Sequence, residues 1–167
     1  MATLTEKQGL EMGAVSQFAE AFTAECGRGT LVFDSLLQPP HPDTHCSLNG
    51  ATVYIEVAHI YGTSIDARHL LGRTGRAAST DREHLMASRV ALDKRLLAPL
   101  NDVLAQKATK AYLGNPIWLL IRNGFALWGR DDFISHQDQI KVPASHPFLE
   151  IWLLCGPRPD LGLLRLA

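Results

Sequence analysis

The chain has 167 residues, 46% of them apolar and 20% charged, with a net charge of −1 at neutral pH. That is enough chain for one domain with a substantial core, and the charge gives no overall pull toward nucleic acid or membranes. No apolar run reaches membrane-spanning length, and the three cysteines show no CxxC spacing and make no disulfide framework.

The opening stretch, MATLTEKQGLEMG, is polar and lacks the basic-then-apolar order of a secretory leader. A reducing, cytoplasmic location is therefore expected. Residues 4–26 read as a helix, with Leu10, Ala14, Phe18 and Phe22 at helical spacing and CGRG as a stop. TLVFDSLL (30–37) reads as a strand, broken by QPPHP. DTHCSL and ATVYIEVAHI then flank Asn49-Gly50, the strongest short hairpin signal. Residues 62–82 form a Gly- and Arg-rich stretch. A long helix is expected over about 83–112, its apolar side carried by Leu85, Leu92, Leu96, Leu100, Val103, Leu104 and Ala108, with Pro99 kinking or dividing it. PIWLLIRN (116–123) and PFLEIWLLCG (147–156) read as strands buried on both faces, and DDFISHQDQ between them as a short helix. The tail PRPDLGLLRLA carries no clear pattern.

Hairpins come first and long crossovers later. The order implies one α/β domain over 1–167, a mixed β-sheet with helices on both faces. Residues 65–110 hold nine basic residues against five acidic ones, a local footprint suited to a polyanion or to a solvated helix face.

A two-residue turn at Asn49-Gly50 sets the hairpin register. Leu48 then faces Ala51, Cys46 faces Val53, Thr44 faces Ile55 and Asp43 faces Glu56. Val53, Ile55 and Val57 point to one side; Tyr54, Glu56 and Ala58 point to the other, with Asp43, His45 and Ser47. Two like charges opposed on a strand pair repel. A divalent cation between them would compensate; so would an arginine partner, or a register slip at Pro42.

Pro42-Asp43, twelve intervening residues and Glu56-Val57-Ala58 resemble the signature of the PD-(D/E)xK, or restriction-endonuclease-like, nuclease superfamily. The element order over about residues 4–123 resembles its αβββαβ core. The resemblance implies Asp43 and Glu56 as ligands of Mg²⁺ (or Mn²⁺), a main-chain carbonyl expected at Val57, and an acidic residue of the first helix as a further ligand. Glu25 suits that role best, lying seven residues after Phe18 and three after Phe22; it could equally cap the exposed end of that stripe. Glu11 and Glu20 follow it. The motif lysine is replaced by Ala58, which can neither orient a water nor steady charge. Lys107 and Lys110, one turn apart in LAQKATKAY, could supply the ammonium from the long helix or simply solvate its surface. Gln106 and Tyr112 are faintly similar to the Gln/Tyr helix motif of the RecB-like branch.

The expected chemistry is metal-dependent phosphodiester hydrolysis of DNA or RNA, with Asp43, Glu56, Lys107 and Lys110 catalytic and Arg68, Arg73 and Arg76 holding neighbouring phosphates. The alternative is a catalytically inactive protein on the same fold, acting as a nucleic-acid-binding or protein-interaction (immunity or regulatory) module. Loss of the lysine at Ala58 and the near-neutral charge favour the alternative; the paired carboxylates favour the enzyme. His41, His45, Cys46 and His59 suggest a zinc site less well, because His45 and Cys46 are adjacent on a strand and face opposite ways. GRTGR lacks the Lys-Ser/Thr ending of a nucleotide P-loop. No membrane association is expected, and the sequence leaves the oligomeric state open.

Overall fold

The structure is a computed structural model that describes residues 4–61, 89–125, 128–156 and 161–167, with the side chains of the second helix described from residue 96 on. Helix α1 spans Glu6–Glu25. It starts at Thr5, whose hydroxyl accepts from Gln8 N at 3.2 Å while the Gln8 side chain accepts from Thr5 N at 2.9 Å, a reciprocal cap that satisfies two otherwise unpaired donors. Its inward stripe is Glu11, Ala14, Val15, Phe18, Ala21 and Phe22.

Strands β1 (Leu31–Leu36), β2 (Thr44–Leu48) and β3 (Ala51–Ile60) form an antiparallel meander. The hairpin register is the one the turn predicts, from Leu48↔Ala51 to Thr44↔Ile55. Asn49 and Gly50 both take positive φ, 52° and 83°, as a tight turn matching strand twist requires. The Asn49 side chain also ties the turn to the preceding loop, accepting from Thr30 N and donating to Arg28 O, each at 3.0 Å. Gly29 lies so close to it that a Cβ there would fall 2.1 Å from the Asn49 oxygen.

Helix α2 (Arg89–Ala108) crosses from β3 to β4 (Ile117–Asn123), which runs parallel to β3. Pro99 lies within α2 and does not divide it. The helix is held on the sheet through Leu96, Leu97, Leu100 and Leu104, packing that outweighs one lost backbone hydrogen bond. A short α3 (Arg130–Ser135) and a 3₁₀ turn (Gln137–Gln139) lead to β5 (Glu150–Leu154), parallel to β4, and a final strand β6 (Leu163–Arg165) pairs antiparallel with β5.

The result is an α/β fold with a mixed six-stranded sheet in the order β1 to β6, flanked by helices in an α-β-β-β-α-β-like order. Alternate strand residues feed two cores. Phe18 and Phe22 of α1 meet Trp118 and Trp152 in a tilted and edge-on cluster on one face. The α2 leucines cover Ile117, Leu119 and Ile121 on the other. Asn123, fully buried where β4 ends, shares its two Nδ2 hydrogens among the carbonyls of Phe125, Trp128 and Cys155, all within 3.1 Å, and accepts from Phe125 N. It thereby fixes how the chain leaves the sheet.

Candidate functional site

The decisive feature is a difference in strand length. The β2–β3 ladder stops at Thr44↔Ile55, yet β3 runs on to Ile60, paired beyond that point only with β4 among the described residues. Asp43 is therefore not a ladder partner of Glu56. Its carbonyl accepts from Leu37 N at 2.8 Å, and its side chain turns to the overhang, where Oδ2 accepts from Val57 N at 2.9 Å. The carboxylate satisfies a backbone donor that β2 no longer reaches.

Glu56 is buried on the α2 face and meets Lys107 Nζ at 2.5 Å; the two side chains are 7% and 13% exposed. The same ammonium lies 3.5 Å from the Val57 carbonyl. Lys107 sits in the last turn of α2, so the helix that crosses from β3 to β4 delivers a cation beside the strand it has just left. From the other face, Lys7 of α1 lies 2.5 Å from Glu11 Oε1 and 3.4 Å from Asp43 Oδ1. Burial, with the charge of Asp43 added, raises the Glu11 pKa against the opposing pull of Lys7. The hydrogen bond that Lys7 donates to Glu11 is the main cause that raises the Lys7 pKa.

Lys7, Asp43, Glu56, Val57 and Lys107 line a cleft of about 280 Å³ with Pro39, Pro40, His41, Lys110 and Tyr112. Its wall is pinned where Leu113 N donates to Pro40 O at 3.0 Å and the His41 ring meets Leu113 O at 3.1 Å. The Tyr112 hydroxyl is buried beside Glu56 and, among the described residues, completes no hydrogen bond. Burial first, and the Glu56 charge second, push its pKa up, so it stays protonated. Tyr54 stacks near His41 and backs onto Gly114, where φ is +120° and a Cβ would lie 2.8 Å from the Tyr54 ring.

The structure thus brings Asp43, Glu56, Val57, Lys107 and Lys110 to one cleft. It places Glu25 elsewhere. That residue is exposed at the far end of α1, its carboxylate accepts from Leu163 N at 3.4 Å, and it lines a separate cleft with Arg130, Asp131 and Asp132. Fourteen residues of helix separate Glu25 from Glu11, about 21 Å. Glu11 is the acidic residue of α1 that reaches the site, and Glu20 is exposed. Glu11 shares the inward stripe, three residues before Ala14 and seven before Phe18, a signal as strong as the one that favoured Glu25. Lys7, missed in the sequence, was visible only as an i,i+4 partner of Glu11. Arg68, Arg73 and Arg76 lie outside the described residues. His45 lies by Asp34 at 3.3 Å while Cys46 is buried. Among the described residues, no group of three or more His, Cys, Asp or Glu side chains is placed to hold a metal ion.

Two carboxylates and the Val57 carbonyl are the hard oxygen donors that Mg²⁺ takes. Here, however, an ammonium already stands between the Glu56 and Val57 oxygens, so the donor set as arranged does not fit the ion.

No protein-family model, no curated protein and no solved structure matches the chain. The topology by itself is broadly consistent with a restriction-endonuclease-like architecture. Among the described residues, no helix is long and apolar enough to cross a membrane.

Proposed function

We propose that the chain is a nuclease-fold-like binding module that holds nucleic acid at the cleft over the β3 overhang and does not cut it. The placement of Lys107 carries this reading. With its ammonium 2.5 Å from Glu56 and 3.5 Å from the Val57 carbonyl, the position between the strand's oxygens is filled by a protein cation. Asp43 is engaged by Val57 N and Lys7. Three ammonium groups then face the two carboxylates of the cleft, Asp43 and Glu56, while Glu11 pairs with Lys7, and burial raises the Glu11 pKa. Lys110 is exposed at the cleft, and among the described residues no carboxylate pairs with it. An unpaired surface cation is what a phosphodiester backbone meets.

Fluorescence anisotropy with labelled single-stranded DNA, duplex DNA and RNA in EDTA tests this. Saturable binding that falls with salt and is weakened several-fold by Lys110→Ala is expected. Binding of none of the three ends the nucleic-acid reading and leaves a protein partner.

A second reading, metal-dependent phosphodiester hydrolysis, is favoured by one observation: α2 supplies Lys107 beside the strand position where Ala58 lacks an ammonium. In that reading Asp43, Glu56 and the Val57 carbonyl would be the groups to hold Mg²⁺ or Mn²⁺, which requires that Lys107 not occupy the Glu56 oxygen as it does here. The ion would supply Lewis-acid activation of the phosphate. Lys107 would then steady the developing negative charge.

A further inference from the structure

On the α1 face of the β3 overhang, beyond the cleft, two side chains are left, among the described residues, without the partners their burial calls for, and a third lies against them. His59 and Arg122 are register neighbours on the parallel strands β3 and β4. Both ring nitrogens of His59 are buried and, among the described residues, unbonded, and so is Arg122 Nε. Among the described residues no carboxylate pairs with Arg122. Tyr61 stacks on His59 with ring centroids 6.0 Å apart and planes 15° from parallel.

Buried polar atoms without partners are rare enough in native proteins to need an explanation. The composition of this group narrows the explanation. Arg122 only donates, Tyr61 and neutral imidazole each offer a donor, and a guanidinium beside them repels a metal ion. Such a set fits an oxyanion. Its place fits too, at the carboxyl ends of adjacent parallel strands, where open α/β sheets take ligands. The surrounding charges come from Lys7 and Glu6 of α1, Asp43 before β2 and Lys107 of α2. His59 follows Val57 by two residues on the same face, about 7 Å along the strand, comparable to the step between successive phosphates of an extended nucleic-acid strand.

We propose that Arg122, His59 and Tyr61 form an oxyanion pocket for a single phosphate group, one strand step from the Asp43–Glu56 cleft. The group is either free phosphate or the phosphodiester next to the one at the cleft. The pocket is independent of whether the cleft itself binds.

The test follows the His59 ring by NMR during titration with inorganic phosphate, and separately with a short oligonucleotide. Phosphate is expected to shift the ring signals saturably, with chloride at matched ionic strength doing nothing. Arg122→Gln should weaken the phosphate affinity roughly tenfold, and Lys141→Ala, at an exposed lysine that lines neither site, should leave it unchanged. Should Arg122→Gln fold poorly, Arg122→Lys keeps the charge but not the Nε donor and should also bind less tightly. An oligonucleotide that phosphate displaces, and whose binding both Arg122→Gln and Lys110→Ala weaken, assigns the phosphodiester. Phosphate binding without oligonucleotide binding assigns the free group and sinks the cleft reading alone. Absence of a saturable phosphate shift, or one that survives Arg122→Gln and Arg122→Lys, overturns the pocket and assigns the unbonded nitrogens to water.

Discussion

Replacing Lys107 with methionine probes the contact on which the site is built. The Lys107–Glu56 pair is 2.5 Å long between side chains 13% and 7% exposed, so solvent screens it little. Methionine keeps most of the packing volume and leaves Glu56 charged and buried without its cation. Removing one partner of a buried pair costs about 3–5 kcal/mol. Tyr112 stands beside Glu56 with an unbonded hydroxyl and can donate in place of the ammonium, which places the loss near the lower end, about 3 kcal/mol. For a chain of this size that lowers Tm by roughly 6–12 °C. Urea unfolding at pH 7 measures it directly, and raising the salt should change the loss little. The double variant Lys107→Met/Glu56→Gln removes the stranded charge and should recover most of the loss, leaving about 1 kcal/mol. A single-variant loss below about 1 kcal/mol, or a double variant that is simply additive, would show that the pair is not buried as described.

Acid should destabilise the protein through His59. Burial, and next the Arg122 charge, lower its pKa to about 4, while the unfolded chain binds its proton near 6.5. The unfolded state therefore holds more protons between those values. Stability is complete above pH 6.5 and falls as pH drops toward 4, by up to about 3 kcal/mol. Urea midpoints at pH 7, 5.5 and 4.5 should show this fall, and His59→Gln should flatten it. In the native state, alkylation should be confined to Cys26. Burial raises Cys46 to about 11 and Cys155 to about 12, so both stay protonated and shielded, and mass spectrometry after brief iodoacetamide treatment should find them unmodified. Asn123→Ala removes the amide's two donors and one acceptor at the end of β4 and should cost about 3 kcal/mol, read as a lower urea midpoint with an unchanged slope.

The parts of this fold legible in the sequence are those set by local chemistry. Asn49-Gly50 determines a turn, and the turn determines the register down to Thr44↔Ile55. The apolar runs that became β4 and β5 are buried on both faces because helices cover both sides. What the sequence hid is set at a distance. Asp43 looked like a cross-strand partner of Glu56 because nothing local says that β2 ends one residue short, and the chain's departure at Pro42 turns its side chain to Val57 instead. Glu11 and Glu25 are equivalent in the helical pattern. Only the packing of α1 on the sheet decides that its first turns, and not its last, lie over the β3 overhang. Strand β6 is three residues long, too short for its alternation to stand out. Pro99 argued for a kinked or divided helix; it does not divide it, and four leucines packed on the sheet hold the helix together across it.

The most direct measurement is a gel of plasmid, single-stranded DNA and RNA incubated with the protein in Mg²⁺ or Mn²⁺, beside Asp43→Ala and Glu56→Ala. With Lys107 holding the position between the Glu56 and Val57 oxygens, retarded complexes and intact substrate are expected in every lane. Products in the wild-type lanes that disappear in both variants would contradict it, and would make the cleft a metal-dependent nuclease site.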